Sequence, residues 1–352
     1  MKSPPKVIAV SSLCPPNECP RDDVIALSRV WLQEQSDEVR SKADRIFARA
    51  GVDKRYSALP LEETFSLKTL DETNLLYREK LVEYAETALR EALDKANLNP
   101  IDIDCLITTS CTGYMSPSLD AFLINRLGLK PDVQRMPVTE MGCIGGAVGL
   151  VYAENYLRAY PDRYVALISA ELTTLTFQHD DFSWANIVST AIFGDGIACA
   201  ILGPSTQLRP AILGSRMLHF PETTDLLGFN LSSRGFQMVL SELLPSIIRK
   251  NFLSFLEPLL ADHGLQVQDI DHWVIHPGGK KILQSIDLIL RPYGKALDAC
   301  WDVFSSKGNM SSATVLFILQ QVMEKNVLLG QKGIVLGIGP GLTLSATLLE
   351  WR

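Results

Sequence analysis

The stretch GCIGGAVGLVYAENY begins at Gly142, and the stretch GNMSSATVLFILQQVM begins 166 residues later, at Gly308. Each opens with a glycine, one side chain that can take part in chemistry and several small residues, and then becomes apolar with the spacing of a buried helix. Each therefore predicts a tight turn that leads into a helix, with Cys143 or Asn309 at the helix start. A match of this kind at long range indicates an internal duplication.

Strand-like apolar segments recur in the same order around the two helix starts. The matched pairs are 105–108 with 272–275, 164–168 with 333–337, and 196–202 with 342–348. Buried strands that alternate with amphipathic helices predict an α/β fold with two similar halves. The proline-containing stretch 203–237 is predicted to cross between them, partly as short strands. We therefore predict an N-terminal half, 1–215, that carries Cys143 and a C-terminal half, 216–352, that carries a histidine and Asn309.

Length and composition support this organisation and exclude several classes of protein. The chain has 352 residues, which is more than one hydrophobic core usually holds. Its net charge is -7 and no long run of Lys or Arg is present, so a nucleic-acid-binding protein is not expected. No apolar run approaches the length of a membrane span. The seven cysteines are irregularly spaced, which favours reduced thiols in the cytoplasm over a disulfide framework or a metal site.

Cys143 is the strongest candidate nucleophile. A cysteine where a tight turn enters a helix lies close to unpaired backbone N–H groups and to the positive end of the helix dipole, which favour its thiolate. The amide of Cys143 can also donate a hydrogen bond to a developing oxyanion. A small buried cysteine that only packs at a helix start would produce the same local pattern, so this pattern alone leaves both interpretations open.

His276 and Asn309 are the candidate partners of Cys143. His276 follows the predicted strand 272–275 and precedes Pro277, at the sheet edge where α/β proteins place their sites. Asn309 occupies in the second half the position that Cys143 occupies in the first, so a pseudo-twofold axis would bring the two helix starts together. Each residue alone is also typical of a turn or a helix cap. Their combination at repeat-related positions favours a shared active site.

One basic helix face is a candidate anion site. Lys42, Arg45 and Arg49 are spaced i, i+3 and i+7, which places their cations on one side of a helix. Phosphate groups of coenzyme A are suitable partners for such a cluster. A solvated basic surface, balanced by nearby acidic residues, is the alternative interpretation.

Several segments together resemble the type III polyketide synthases, the chalcone and stilbene synthase-like branch of the thiolase superfamily. In order along the chain, these segments are Gly142-Cys143, Phe193-Gly194-Asp195-Gly196, Val274-Ile275-His276-Pro277-Gly278-Gly279, Gly308-Asn309-Met310-Ser311-Ser312-Ala313 and Gly339-Pro340-Gly341-Leu342-Thr343. The resemblance covers essentially the whole chain. It implies a thiolase fold, which is a duplicated five-layered αβαβα architecture, and a homodimer that uses no cofactor.

The resemblance also implies roles for individual residues. It makes Phe193 a gatekeeper between the substrate tunnel and the cavity, Phe229 its partner, and Met115 a residue that crosses a dimer interface. It supports coenzyme A as the partner of the basic helix face. The other expected substrate-binding residues are Thr173, Thr176, Ser311, Gly339, Pro340 and Gly341, and Thr109, Cys111 and Thr190 are also slender enough to leave room for an acyl chain.

The activity that the resemblance implies is acyl transfer followed by carbon-carbon bond formation. An acyl-CoA starter would be loaded on Cys143, and His276 and Asn309 would hold the thioester of malonyl-CoA while carbon dioxide leaves. Ile338 stands where many relatives carry an aromatic residue, and the slender side chains favour a long-chain fatty acyl starter with an alkylpyrone or alkylresorcinol product. The alternatives are an initiating β-ketoacyl-acyl-carrier-protein synthase of fatty-acid synthesis and an inactive thiolase-like partner subunit.

Overall fold

The computed structural model describes residues 3–352. In this part of the chain the backbone forms thirteen β-strands and eleven α-helices. The strands are β1 (Lys6–Leu13), β2 (Asn17–Pro20), β3 (Lys54–Ser57), β4 (Cys105–Thr109), β5 (Gln134–Val138), β6 (Val165–Glu171), β7 (Gly196–Gly203), β8 (Pro210–His219), β9 (Leu227–Ser232), β10 (Gly235–Leu240), β11 (His272–Ile275), β12 (Lys332–Gly339) and β13 (Thr343–Trp351). The helices are α1 (Arg21–Trp31), α2 (Asp37–Arg49), α3 (Leu61–Ser66), α4 (Leu70–Ala96), α5 (Leu119–Leu127), α6 (Gly145–Ala159), α7 (Trp184–Ile192), α8 (Leu244–Ala261), α9 (Lys280–Leu290), α10 (Asp298–Lys307) and α11 (Thr314–Met323). None of these helices combines the length and the apolar character that a membrane crossing requires.

Nine of the strands form one mixed sheet in the order β11-β12-β13-β8-β1-β7-β6-β4-β5. In the first half of the sheet β4 is parallel to β6, and β6 is antiparallel to β7. In the second half β11 is parallel to β12, and β12 is antiparallel to β13. The two halves meet at β1 and β8, where Lys6 pairs with Ala211. The same pairing pattern in each half confirms the duplication that the sequence predicts.

The helices complete five layers. α4 and α5 cover the outer face of the first half-sheet, and α8 covers the outer face of the second. α6 and α11 lie between the half-sheets, because α6 contacts β4 and β6 on one side and β12 and β13 on the other, while α11 contacts β1 and β7 as well as β11 and β12. Both helices are largely buried, which is why their sequences are apolar on more than one face. The result is the αβαβα architecture of a thiolase fold.

Glycines allow α6 to approach its neighbours closely. A Cβ atom at Gly146 would overlap the backbone oxygen of Ser312, which belongs to the turn before α11. A Cβ atom at Gly149 would overlap the side chain of Leu167 in β6. A side chain at Gly146 would force α6 away from the second half of the chain, whereas a side chain at Gly149 would force it away from β6 in its own half. Gly146 therefore sets the distance between the two helix starts, and Gly149 lets α6 pack closely on its own half-sheet.

The predicted crossing between the halves, 203–237, contains strands as the sequence suggests, but the first of them is longer than the short strands expected. β8 spans ten of its residues and pairs with β13 along nearly its whole length. The division predicted between residues 215 and 216 falls inside this strand. Strands β9 and β10 then form a separate antiparallel hairpin. Pro204 lies before β8 and Pro210 is its first residue, which explains why the sequence of this stretch resembles a connection with short strands.

Replacing Gly146 with alanine tests the close approach of the helices. Because the added methyl group would overlap backbone, we expect Gly146→Ala to lower the free energy of unfolding by about 1–3 kcal/mol, as other overpacking substitutions do. Urea denaturation followed by circular dichroism measures this loss. Asn155→Ala, at an exposed position of the same helix, is the matched control and should change stability by less than about 0.5 kcal/mol. Equal stability of Gly146→Ala and the wild type would contradict this packing.

Candidate active site

Cys143 lies in a 3₁₀ turn, Gly142–Ile144, that leads directly into α6. Gly142 has a φ of +58°, a conformation that favours glycine, and it lets the chain bend sharply before the helix. The sulfur of Cys143 accepts a hydrogen bond from Oγ of Ser311 at 3.4 Å. The structure therefore places Cys143 at a helix start, in contact with a residue from the second half of the chain.

The loop after β12 packs directly on the turn that holds Cys143. A Cβ atom at Gly142 would lie 2.6 Å from Cγ of Pro340. A Cβ atom at Gly339 would lie 2.6 Å from Cβ of Ile144. The predicted loop residues Gly339 and Pro340 thus support the nucleophile turn, whereas Gly341 lies beside His219 and Thr343. The side chain that this region contributes to the lining of the site is that of Ile338, just before them.

His276 follows β11 directly and is 1% exposed. Its backbone N–H donates to the carbonyl of Leu336 at 2.8 Å, which ties it to β12. Within residues 3–352 its Nδ1 has no hydrogen-bond partner. A buried nitrogen without a partner is uncommon in a folded protein and calls for an explanation such as a role in chemistry.

Asn309 lies just before the turn that leads into α11 and is 2% exposed. Its Nδ2 donates to the carbonyl of Gly278 at 3.3 Å, and its Oδ1 accepts from the backbone N–H of Ser311 at 2.9 Å. These two bonds fix the carboxamide with its amino group toward the loop after His276. Ser311 itself has a φ of +48°, which is uncommon for a residue other than glycine.

Cys143, His276 and Asn309 are brought together by the fold, because all three line one buried chamber. The chamber has a volume of about 20 Å³. Phe193 lines it as well. The lining residues that the sequence analysis did not select are Ser189, Ile192, Leu227, Met238, Leu240, Leu244, Gly278 and Ile282. Most of them are ordinary apolar residues of helices or of the β9–β10 hairpin, so no motif marks them in the sequence.

Burial controls protonation in this chamber. It raises the pKa of Cys143 to about 11, although the hydrogen bond from Ser311 acts in the opposite direction. It also lowers the pKa of His276 to about 4. In the described part of the chain no hydrogen bond joins these two side chains. The thiolate predicted from the helix start alone is therefore opposed by the dry surroundings.

A buried carboxyl group that the sequence analysis missed stands behind the nucleophile. Glu171, the last residue of β6, is 0% exposed and accepts a hydrogen bond from the amide of Cys111 at 3.0 Å. Sγ of Cys111 lies 3.2 Å from Oγ of Ser311, which contacts Cys143. Burial raises the pKa of Glu171. The only signal in the sequence is an acidic residue that ends an otherwise uncharged strand.

Phe193 separates the chamber from a second pocket. Thr173, Thr176 and Thr190 line this pocket, as does Phe193 itself. Its apolar floor consists of Val24, Leu61, Phe65 and Phe177. The pocket has a volume of about 30 Å³. The threonines selected from the sequence therefore lie beyond the expected gate residue, on the side away from Cys143.

The remaining residues expected to shape the cavity lie outside both spaces. Phe229 packs edge-on against Phe236, with ring centroids 6.0 Å apart, in an apolar cluster that also contains the gate residue. Thr109 is buried, and its hydroxyl donates to a neighbouring serine at 2.8 Å, so it belongs to the core between the halves. Met115 is half-buried against the cluster of residues beneath α4 and α5.

A buried guanidinium group fixes the backbone around Phe193. Arg55 in β3 is 5% exposed, and its donors reach the carbonyl groups of Thr190, Ala191 and Phe193. These carbonyls end α7, where intrahelical partners are missing and where a cation interacts favourably with the helix dipole. From the other side, the backbone N–H of Asn309 donates to the last carbonyl of α7 at 2.8 Å. The backbone at the end of α7 and at Phe193 is thus held from two sides.

A larger cavity, which we call the mouth, lies next to the chamber and has a volume of about 670 Å³. Three of the cations that line it form the basic helix face, and the start of α9 adds two that the sequence analysis missed. These five cations are Lys42, Arg45, Arg49, Lys280 and Lys281. The residues shared between mouth and chamber are Ile192, Leu240, Leu244, Gly278 and Ile282. The mouth therefore adjoins the chamber, and the chamber adjoins the pocket at Phe193.

Removing the buried guanidinium group of Arg55 tests how much its hydrogen bonds to the end of α7 contribute to stability. Arg55→Met would leave three buried carbonyl groups without their donor, so we expect the free energy of unfolding to fall by about 3 kcal/mol or more. Urea denaturation measures this loss. Arg21→Met removes an exposed cation that pairs with Asp53 at 2.9 Å, and this control should cost less than about 1 kcal/mol. Equal losses for the two variants would show that Arg55 has no special structural role.

Comparison with known proteins agrees with this geometry. Residues 2–206 match the family model described as chalcone and stilbene synthases, N-terminal domain, and residues 213–351 match the corresponding C-terminal domain. The chain is 37% identical to a 1,3,6,8-tetrahydroxynaphthalene synthase of Streptomyces peucetius subsp. caesius over 98% of this chain and 93% of that protein. It is 28% identical to the alpha-pyrone synthesis polyketide synthase-like Pks18 of Mycobacterium tuberculosis over 88% of this chain and 82% of that protein.

The likeness extends to the whole fold. The crystal structure of 1,3,6,8-tetrahydroxynaphthalene synthase from Streptomyces coelicolor A3(2), a bacterial type III polyketide synthase, superposes with a TM-score of 0.93 at 26% identity and covers 99% of each chain. These matches favour one family over the ketoacyl synthase considered from the sequence. The chain therefore belongs to the chalcone and stilbene synthase family and is a type III polyketide synthase, an acyltransferase that catalyses decarboxylative condensation.

Proposed function

We propose that Cys143, His276 and Asn309 carry out this condensation on coenzyme A thioesters without a further cofactor. The observation that carries the proposal is that all three line one buried chamber beside a mouth lined by five cations. The sulfur of Cys143 passes its proton to His276 and attacks the thioester carbonyl of an acyl-CoA starter. The carbon-sulfur bond to coenzyme A breaks, and coenzyme A leaves with that proton. The acyl group is then held on the enzyme.

Extension uses the same three groups. The bond between the α-carbon and the carboxyl carbon of malonyl-CoA breaks, carbon dioxide leaves, and the electron pair forms an enolate. The amino group of Asn309 and a ring N–H of His276 are suited to stabilise the enolate oxygen, because preplaced donors of this kind contribute about 3 kcal/mol each. The enolate carbon then attacks the acyl carbonyl, and the sulfur of Cys143 leaves as a thiolate.

The mouth supports coenzyme A as the carrier of the acyl groups. The chain has a net charge of -7, whereas five cations and one carboxylate, Glu242, occur among the described residues that line the mouth. This local reversal of charge suits the phosphate groups of coenzyme A. A basic face that served only for solubility would have no need to converge with the start of α9 on one cavity.

We propose a long-chain fatty acyl-CoA as the starter and an alkylpyrone or alkylresorcinol as the product. An apolar chain attached to Cys143 would pass Phe193 and enter the pocket with the apolar floor. The name of the mycobacterial relative, which refers to alpha-pyrone synthesis, supports a pyrone. Chamber and pocket are both narrow, so entry of a chain requires rotation of Phe193 and Met238, and the unbranched side chain of methionine adapts easily.

Malonyl-CoA itself is a second candidate starter, with a hydroxylated aromatic product. The relative that shares 37% identity is a 1,3,6,8-tetrahydroxynaphthalene synthase, and the narrow chamber of about 20 Å³ would have to open less for a malonyl group than for a long chain. The lining of the pocket favours an apolar acyl chain over a malonyl group. The one cation among the described residues that line the pocket is Arg55, and its two terminal nitrogens already donate to carbonyl groups, so a malonyl carboxylate would find little positive charge there.

We also propose that the enzyme acts as a homodimer in the cytosol. The dimer rests on the resemblance of Met115 to a family residue that reaches the cavity of the neighbouring subunit. All seven cysteines are free thiols, which is typical of a reducing compartment.

Cys143→Ala tests the nucleophile. We expect product formation from acyl-CoA and malonyl-CoA to fall more than about 100-fold, because alanine offers no sulfur to carry the acyl group. Mass spectrometry after brief exposure to acyl-CoA should find an adduct on the wild type and none at this position in the variant. Cys14→Ala changes a half-buried cysteine outside the chamber and should keep full activity.

Two results would contradict this assignment. An unchanged product yield in Cys143→Ala would remove the residue from the mechanism. A wild-type protein that forms no adduct with any acyl-CoA would instead support the inactive partner subunit.

A panel of starters separates the two starter candidates. With malonyl-CoA present and no carrier protein, we expect turnover to rise with the length of a saturated acyl-CoA, as measured by mass spectrometry of the products. Thr176→Phe, which fills the pocket, should shift the preference to shorter chains, whereas Thr87→Phe on the exposed face of α4 should not. An aromatic product made from malonyl-CoA alone, faster than any acyl-primed product, would establish the second candidate.

A further inference from the structure

A contact between a cation and an aromatic ring lies at the edge of the mouth. Nζ of Lys42 lies 3.7 Å from the ring centroid of Trp184. Lys42 belongs to α2, Trp184 is the first residue of α7, and the two helices pack against each other. Both side chains are half-buried and both line the mouth. The contact therefore holds the ammonium group at the entrance to the active site.

Trp184 orients Lys42 without cancelling its charge. Within residues 3–352 none of the five cations of the mouth pairs with a carboxylate. An aromatic face attracts a cation through its quadrupole and leaves the full positive charge in place. A lysine held in this way has already lost much of its rotamer freedom, so less entropy is lost when it meets an anion.

The remaining cations of the mouth are arranged differently. Arg45 and Arg49 are exposed, and Arg45 donates to the hydroxyl of Ser41 at 3.3 Å. Lys280 donates to the carbonyl of Arg49 at 3.3 Å, which joins the start of α9 to the end of α2. Among the five, Lys42 is the cation whose charged end is held by an aromatic ring.

We infer that Trp184 is a positioning residue for coenzyme A, which holds the ammonium group of Lys42 ready to meet a phosphate group. This inference rests on the proposed use of coenzyme A thioesters and names a residue that no motif of the sequence marks. Trp184 acts through Lys42 and not by stacking on the adenine ring. The affinity for coenzyme A should then depend on Trp184 only while Lys42 is present.

A double-mutant cycle tests this dependence directly. The dissociation constant of free coenzyme A is measured by calorimetry for the wild type, Trp184→Leu, Lys42→Met and the double variant. We expect Trp184→Leu alone to weaken binding about fivefold, which is the range of one partly exposed cation–aromatic contact. Trp184→Phe should lose less, because it keeps a ring. In the Lys42→Met background, Trp184→Leu should cause no further loss.

Pantetheine, which lacks the phosphates and the nucleoside, is the reference ligand. The ratio of the dissociation constants for coenzyme A and pantetheine should change in Trp184→Leu, since the effect is confined to the phosphates. Tyr160→Leu, an exposed aromatic residue at the end of α6, is the matched control and should leave the ratio unchanged.

The outcomes separate this inference from the proposed function. Equal losses from Trp184→Leu with and without Lys42 would show direct stacking or a general structural effect and would overturn the inference. Wild-type affinity in Trp184→Leu would overturn it as well, and both results leave the use of coenzyme A intact. A wild-type protein that binds no coenzyme A would overturn the proposed substrate and, with it, the inference.

Discussion

The structure depends above all on the close approach of two helix starts across the axis that relates the halves of the chain. Gly146 has no side chain that would keep α6 away from the carbonyl of Ser312. The turn that holds Cys143 therefore lies against the turn that holds Ser311 and Asn309. Because each turn begins a helix of the middle layer, core packing sets the distance between the reacting groups. Groups on rigid elements are held more accurately than groups on loops.

The same interface fixes the backbone at Phe193, beside the chamber. The end of α7 lies between Arg55 on one side and the backbone of Asn309 on the other. A buried cation is costly, and here the two terminal nitrogens of Arg55 donate to carbonyl groups that would otherwise lack partners. The backbone at Phe193 is therefore firmly held, while rotation of its side chain requires only that the apolar neighbours yield. The fold thus holds the backbone between chamber and pocket and leaves only the ring of Phe193 free to rotate.

The sequence predicts the core of the site well because the duplication leaves local marks. Cys143 and Asn309 occupy matching positions in two glycine-containing helix starts, and His276 follows a recognisable strand. Glu171 has no such mark, since its hydrogen-bond partners come from other segments and meet it only in the folded chain. The same reason hides the lining residues of the β9–β10 hairpin. The sequence predicts only short strands where the ten-residue strand β8 lies, because prolines occur before it and at its first position, although its pairing with β13 outweighs that local signal.

In the proposed reaction, the negatively charged substrate moves from a mouth lined by cations into a chamber whose described lining residues include none. Five cations surround the mouth, whereas the described residues that line the chamber include no lysine or arginine. A malonyl carboxylate that enters the chamber therefore loses water without gaining a cation. Loss of carbon dioxide moves that charge to an enolate oxygen, where Asn309 and His276 supply donors. A lysine in the chamber would stabilise the carboxylate of the reactant more than the enolate, and it would slow the step that the site has to accelerate.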